Sequence, residues 1–233
     1  MRLVLIPGFS QTAEAWDRVA ASLPPHLSVT ALDIETGGTF EDTAADLVER
    51  GGPGFYAGYS MGGRLALCAA LLNPEPVTGL ILVSASPGIA DHAERRRRQI
   101  DDEALADWIE RHDRNAFLDR WLAQPVLATL DPAVGRTARL ESTAEIASQL
   151  RILGRGAQPP LWDELGSLEM PVLLVAGGLD EPHMAMAAEM LACIGMNAEL
   201  DVVPGAGHAV PLELPESLAE SIAAFMIRHS GTE

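Results

Sequence analysis

Six short apolar runs, at residues 3–6, 27–33, 54–59, 79–85, 172–176 and 199–203, constrain this chain more than any other feature. They are continuous and do not alternate with polar residues, which is the signature of strands covered on both faces. Between them lie segments of helical periodicity at 12–23, 40–50, 61–72, 182–194 and 215–229. Strand and helix in alternation predict an α/β fold with a doubly wound, mostly parallel sheet. One stretch, about 88–162, breaks the rhythm, with helical periodicity and no convincing strand. The expected organisation is therefore a core from 1–87 and 163–233, with a helical lid at 88–162 inserted over the carboxyl ends of the strands.

The third run leads directly into Gly58-Tyr59-Ser60-Met61-Gly62-Gly63, a G-x-S-x-G pattern, and then into a helix-like segment. A serine on so sharp a strand-to-helix turn needs glycine neighbours, because side chains there would collide. The turn lifts the hydroxyl out of the sheet and sets the next amide where an oxyanion would form. An acid and a histidine should then follow in that order. Asp180 stands just past the fifth run, in Gly177-Gly178-Leu179-Asp180, and His208 just past the sixth, in Pro204-Gly205-Ala206-Gly207-His208. Loops at the carboxyl ends of parallel strands converge on one crevice, so Ser60, Asp180 and His208 are expected to meet as a triad.

Plainer roles exist for each: Ser60 and Asp180 are both good helix caps, and His208 could be an ordinary loop histidine. A metal site of Asp180, Glu181 and His183 lacks a recognised ligand spacing, so no metal and no cofactor are expected. The first run ends in Pro7-Gly8-Phe9, and a glycine turn there would aim the Phe9 amide at the crevice. Phe9 and Met61 are the expected oxyanion-hole donors. Arg64, one helical turn after Ser60, is placed to reach the same pocket floor, with a surface ion pair as the plainer role. Of Arg95-Arg96-Arg97-Arg98, at most two residues one turn apart should face the crevice, and Trp121 is equally suited to the lid's own core.

All 16 basic residues are arginine, which removes Schiff-base chemistry, pyridoxal-phosphate anchoring and the phosphate-loop lysine. The net charge of −17 argues against nucleic acid. Residues 88–140, however, carry nine arginines against ten acids, a nearly neutral stretch in an acidic chain where an anionic ligand could be held. No apolar run is long enough to span a membrane, and the first run is too short for a signal sequence. Cys68 and Cys193 form no motif, which fits a reducing cytoplasm. A monomer or small homo-oligomer is expected.

With those residues placed, the chain resembles the α/β-hydrolase superfamily. Within it, the chain is similar to the 2-succinyl-6-hydroxy-2,4-cyclohexadiene-1-carboxylate synthases of menaquinone biosynthesis. The likeness runs through Gly58 to Arg64, Ser86-Pro87-Gly88, the spaced Arg95, Arg98 and Asp102, and Trp121-Leu122-Ala123-Gln124-Pro125-Val126. It continues in Gly154-Arg155-Gly156-Ala157-Gln158 with Leu161-Trp162, and closes on Gly205-Ala206-Gly207-His208 and Glu213-Leu214-Pro215. The resemblance implies Ser60, Asp180 and His208 as the triad, and Tyr59, Arg64, Arg98, Trp121 and Arg139 as substrate contacts. It implies a small polycarboxylate substrate, suited to arginine forks, and an elimination of pyruvate in which Ser60 serves as a base. The chain departs from the family's usual pattern at Pro7, where a histidine is usual, and in the loop Asp33-Ile34-Glu35-Thr36-Gly37-Gly38. A serine hydrolase of an ester, thioester or carbon–carbon bond needs the same triad, and a non-catalytic relative of the fold is a third possibility.

Overall fold

The computed structural model describes residues 1–230. Its centre is one six-stranded sheet: β1 (Arg2–Ile6), β2 (Ser28–Ala31), β3 (Gly54–Tyr59), β4 (Val77–Val83), β5 (Val172–Gly177) and β6 (Ala198–Val203). The strands run in the order β2-β1-β3-β4-β5-β6, and every pairing is parallel. Adjacent residues feed opposite sides. Val4 and Ile6 enter one apolar cluster while Leu3 and Leu5 enter the other, and the same split divides Leu80 and Leu82 from Ile81 and Val83. Burial on both faces is why these strands read as unbroken apolar runs.

The helices that cover the sheet are α1 (Asp17–Ser22), α2 (Phe40–Gly51) and α3 (Met61–Leu72), then α4 (His92–Glu110), α5 (Arg114–Leu122), α6 (Pro132–Gly135) and α7 (Thr143–Leu153) between β4 and β5, and finally α8 (Glu181–Ile194), α9 (Val210–Glu213) and α10 (Pro215–His229). Side-chain caps set several starts: Thr39 with Asp42 on α2, Asp91 on α4, Asp113 on α5 and Ser142 on α7. The helix expected over 12–23 is divided instead. A tight turn at Ala13–Trp16 precedes α1, with Trp16 buried against the face that also holds Phe225. β4 begins and ends two residues earlier than its apolar run suggests; its end is set by Ser84, whose φ of +48° no strand residue can hold. No helix of the described residues is long and apolar enough to cross a membrane.

The strand order reverses direction between β1 and β3, and the loops leaving those two strands part to opposite sides of the sheet. A crevice opens at such a switch point, outside the carboxyl ends of the strands. The loop after β1 carries Gly8 and Phe9, and the turn after β3 carries Ser60. The turn is strained, with Ser60 at φ +50°. It closes only because α3 lies against the neighbouring backbone: a Cβ on Gly62 would sit 2.3 Å from the Ile6 carbonyl oxygen and 2.4 Å from that of Pro7. Gly62→Ala gains helix propensity worth about 1 kcal/mol. Overpacking against two rigid carbonyls outweighs this, and a net loss of about 2 kcal/mol is expected. A urea titration checks it; an unchanged midpoint would contradict the close contact.

Candidate active site

Ser60 precedes α3 but its side chain caps nothing. Its hydroxyl faces His208 instead, with Oγ 3.3 Å from Nε2. On the other edge of the imidazole, Nδ1 lies 2.8 Å from Oδ2 of Asp180. The helix-cap role considered for Asp180 is also present, since its Oδ1 accepts from the His183 amide at the start of α8. One carboxylate thus caps a helix and holds a histidine. The His208 loop is itself pinned: Glu213 accepts from the amides of Gly207 (2.8 Å) and Ala209 (2.9 Å), the two neighbours of His208.

Burial tunes these groups. It would raise the Asp180 carboxyl, yet hydrogen bonds from His183 and His208 outweigh it and keep the acid well below the usual carboxylate range. Burial pushes His208 below the ordinary histidine value, more than its bond to Asp180 restores. The result is a neutral imidazole with a free lone pair toward Ser60, the form a base requires. Tyr59, buried beside His208 with ring centroids 5.6 Å apart, has its phenol raised strongly by burial and stays neutral.

The loop after β1 is held on all sides except one. The Gly8 amide donates to Gln11 Oε1, the Ser10 amide to Gln149 Oε1, and the Gln11 amide to the Gly8 carbonyl. Among the described residues the amides of Phe9 and Met61 have no such acceptor. Ser60, Phe9, Tyr59 and His208 line a cavity of about 210 Å³, together with Arg98, Trp121, Arg139 and Arg155. Trp121 packs on Phe9 with centroids 4.7 Å apart, so it is both part of an apolar cluster and cavity wall.

The arginines divide. Of the run 95–98, Arg96 and Arg97 are exposed and Arg98 reaches the cavity, its Nε 2.7 Å from Asp102 Oδ1. Asp102 also accepts from the Gly156 amide, tying α4 to the turn after α7. Arg139 is 6% exposed and donates to the carbonyls of Gly135 and Phe9 and to Ser10 Oγ, while its Nη2 donates to no protein acceptor among the described residues. Arg64 does not line this cavity. The residue is 7% exposed and its guanidinium donates to the Leu153 carbonyl and Gln158 Oε1, because one turn of helix carries it under the end of α7 rather than along the pocket floor. Burial lowers both, Arg64 to about 9 and Arg139 to about 10, and both stay charged at neutral pH.

Sequence reasoning assigned no role to Arg155, Gln11 or Gln124, which line the cavity, and placed His183, which also lines it, in no pocket. Arg155 has no acidic partner among the described residues, and its excess charge was visible only as part of a motif. His183 was weighed with Asp180 and Glu181 as a metal set of unrecognised spacing; of those two, Asp180 is the one it contacts, Nδ1 to Oδ1 at 3.0 Å.

The profile of the Alpha/beta hydrolase family matches residues 3–221. The chain is 29% identical over 226 residues to a Serratia proteamaculans protein named 2-succinyl-6-hydroxy-2,4-cyclohexadiene-1-carboxylate synthase, covering 91% of this chain and 84% of that one. A Bacillus subtilis protein, named provisionally for the same synthase, is 35% identical over 176 residues, 72% of this chain and 64% of its own length. Among solved structures, MenH from S. aureus superposes with a TM-score of 0.92 at 25% identity, covering 99% of this chain and 95% of that one. A Thermogutta terrifontis esterase superposes at 0.80 and 20% identity over 98% and 90%, a likeness of fold. With its switch-point crevice, serine elbow and parallel sheet, the chain belongs to the alpha/beta hydrolase family.

Proposed function

We propose that the protein eliminates pyruvate from 2-succinyl-5-enolpyruvyl-6-hydroxy-3-cyclohexene-1-carboxylate, as a synthase of the menaquinone pathway. The observation that carries this reading is the cavity's charge: Arg98, Arg139 and Arg155 line the same space as Ser60 and His208. An ester pocket would be mainly apolar. Three guanidiniums in a chain of net charge −17 suit a substrate with several carboxylates. The curated relatives named for this synthase support the same choice.

In this reading Ser60, His208 and Asp180 are the catalytic residues. The succinyl ketone acidifies the ring C2–H. Ser60 Oγ takes that proton as its own passes to His208 Nε2, and Asp180 stabilises the imidazolium. The carbonyl oxygen becomes enolate-like, and the amides of Phe9 and Met61 are aimed to hold it. Electrons then move through the ring: the C3–C4 double bond gives way to C2–C3 and C4–C5 double bonds, and the C5–O bond breaks. The departing enolpyruvate takes a proton and leaves as pyruvate. Ser60 is a relay here and is never acylated. The excursion between β4 and β5 acts as a lid that brings Arg98, Trp121, Arg139 and Arg155 over the crevice, with Tyr59 at its wall. Arg64, one layer behind, supports the turn that presents Arg155 and touches substrate only if that turn moves.

The deciding assay supplies the enolpyruvyl substrate, generated in situ, and follows pyruvate beside p-nitrophenyl ester hydrolysis. Pyruvate release should fall by at least about 10³-fold in Ser60→Ala and in His208→Ala. Ester turnover without pyruvate release would assign hydrolysis to the same triad. Arg98→Gln removes a charge-assisted contact and should raise KM by about tenfold or more with a smaller change in kcat; an unchanged KM would count against an anionic substrate. Because the His208 pKa is lowered, its neutral form persists to more acidic pH. The acid limb of kcat/KM should therefore have its midpoint below the ordinary histidine value of about 6.5, and a midpoint above it would contradict that environment.

A further inference from the structure

Asp180 faces two imidazoles, and only one of them belongs to the chemistry above. Both point the same atom at the same oxygen. His208 Nδ1 and His183 Nδ1 each lie 2.8 Å from Asp180 Oδ2. The rings are close, with centroids 4.4 Å apart. Ligand atoms of the three residues all lie within 4.8 Å of one another. We propose that Asp180, His183 and His208 form a binding site for a divalent ion of the zinc class, and that occupancy switches the enzyme off.

Two nitrogens and a carboxylate oxygen are the donor set that zinc, cobalt, nickel and copper take in proteins, while magnesium and calcium prefer oxygen alone. Zinc bonds of about 2.0–2.2 Å place tetrahedral ligands roughly 3.3 Å apart. Pairs now 2.8 Å apart would need to spread by about half an ångström, within reach of side-chain rotation. The frame is already built. Asp180 and His183 are three residues apart at the start of α8 and so share one helix face, and Glu213 fixes the loop that delivers His208. His183 reaches the cavity that holds Ser60, and a second cavity of about 340 Å³ borders Asp180 and His208 from behind, so an ion has an approach and room for water as a further ligand.

Inhibition follows from the tautomers. In the resting arrangement His208 carries its proton on Nδ1, toward Asp180, and leaves Nε2 as the acceptor for Ser60. An ion on Nδ1 displaces that proton, and a neutral ring then carries it on Nε2. The same exchange occurs at His183. Each ring keeps one proton, passed through solvent, and nothing is oxidised or reduced. With Nε2 protonated, His208 donates toward Ser60 Oγ and can no longer take its proton. The ion also holds the carboxylate that would have stabilised the imidazolium.

The test uses binding, so it stands apart from the question of which reaction the triad performs. The full chain is made without a polyhistidine tag and with Cys193→Ser, which removes the exposed thiol. Calorimetry with Zn²⁺ should show one site per chain at micromolar concentration or tighter, and Co²⁺ should give the visible absorption of a low-coordinate nitrogen–oxygen site. Mg²⁺ should give neither. His183→Gln, confirmed as folded by its melting curve, should weaken Zn²⁺ by at least about tenfold, whereas His112→Gln, at an exposed histidine outside the site, should not. Zn²⁺ should also abolish turnover, reversibly with a chelator. Absence of the single site, or a site equally strong in His183→Gln, would overturn the proposal.

Discussion

The backbone contact at the elbow underlies everything in the crevice. Gly62 rests against the carbonyls of Ile6 and Pro7, so β1, β3 and α3 touch main chain to main chain with no side chain between them. Beside that contact Ser60 holds a positive φ, and its hydroxyl faces His208. The contact also brings the amide of Met61 beside the loop that carries the amide of Phe9. The strain at Ser60 is tolerable because the surrounding sheet and helix are buried on every side.

Most of this frame could be read from the chain because burial on both faces leaves an unmistakable record in the residues. The unbroken apolar runs marked all six strands, and G-x-S-x-G fixed the one sharp turn. Edges were less legible. Ser84 ends β4 through a local φ that no apolar pattern announces, and the division between the Ala13–Trp16 turn and α1 depends on how Trp16 packs. Ser60, Asp180 and His208 lie far apart in sequence, and their meeting was legible because each follows an apolar run, in elbow–acid–histidine order, at the end of the sheet where loops converge.

The arginines show where pattern reading runs out. A position four residues along a helix places Arg64 on a neighbouring face, but only packing decides what that face meets, and here it meets the end of α7. Arg155 sits in a turn with no periodicity, so nothing local shows which way it points. Charge density in the 88–140 stretch gave the sign of the pocket without identifying all its members. His183 was similarly hidden: its partner His208 arrives from a loop twenty-five residues later, beyond the reach of any spacing rule.

Arg139 ties two parts of the protein that appear separable on a diagram. It joins Gln11 in an isolated antiparallel bridge, and its guanidinium grips the Phe9 carbonyl and Ser10 Oγ. Leu140 adds a bond to the Ser10 carbonyl, and the Ala138 carbonyl accepts from Thr12. The inserted segment therefore holds the very loop that carries Phe9 to the cavity wall. Exchanging it for that of a relative with another preference would also release that loop. Divergence or engineering of new specificity on this scaffold is consequently not modular: any transplanted cover must bring its own clasp for residues 9–12, or the core beneath it loses its shape.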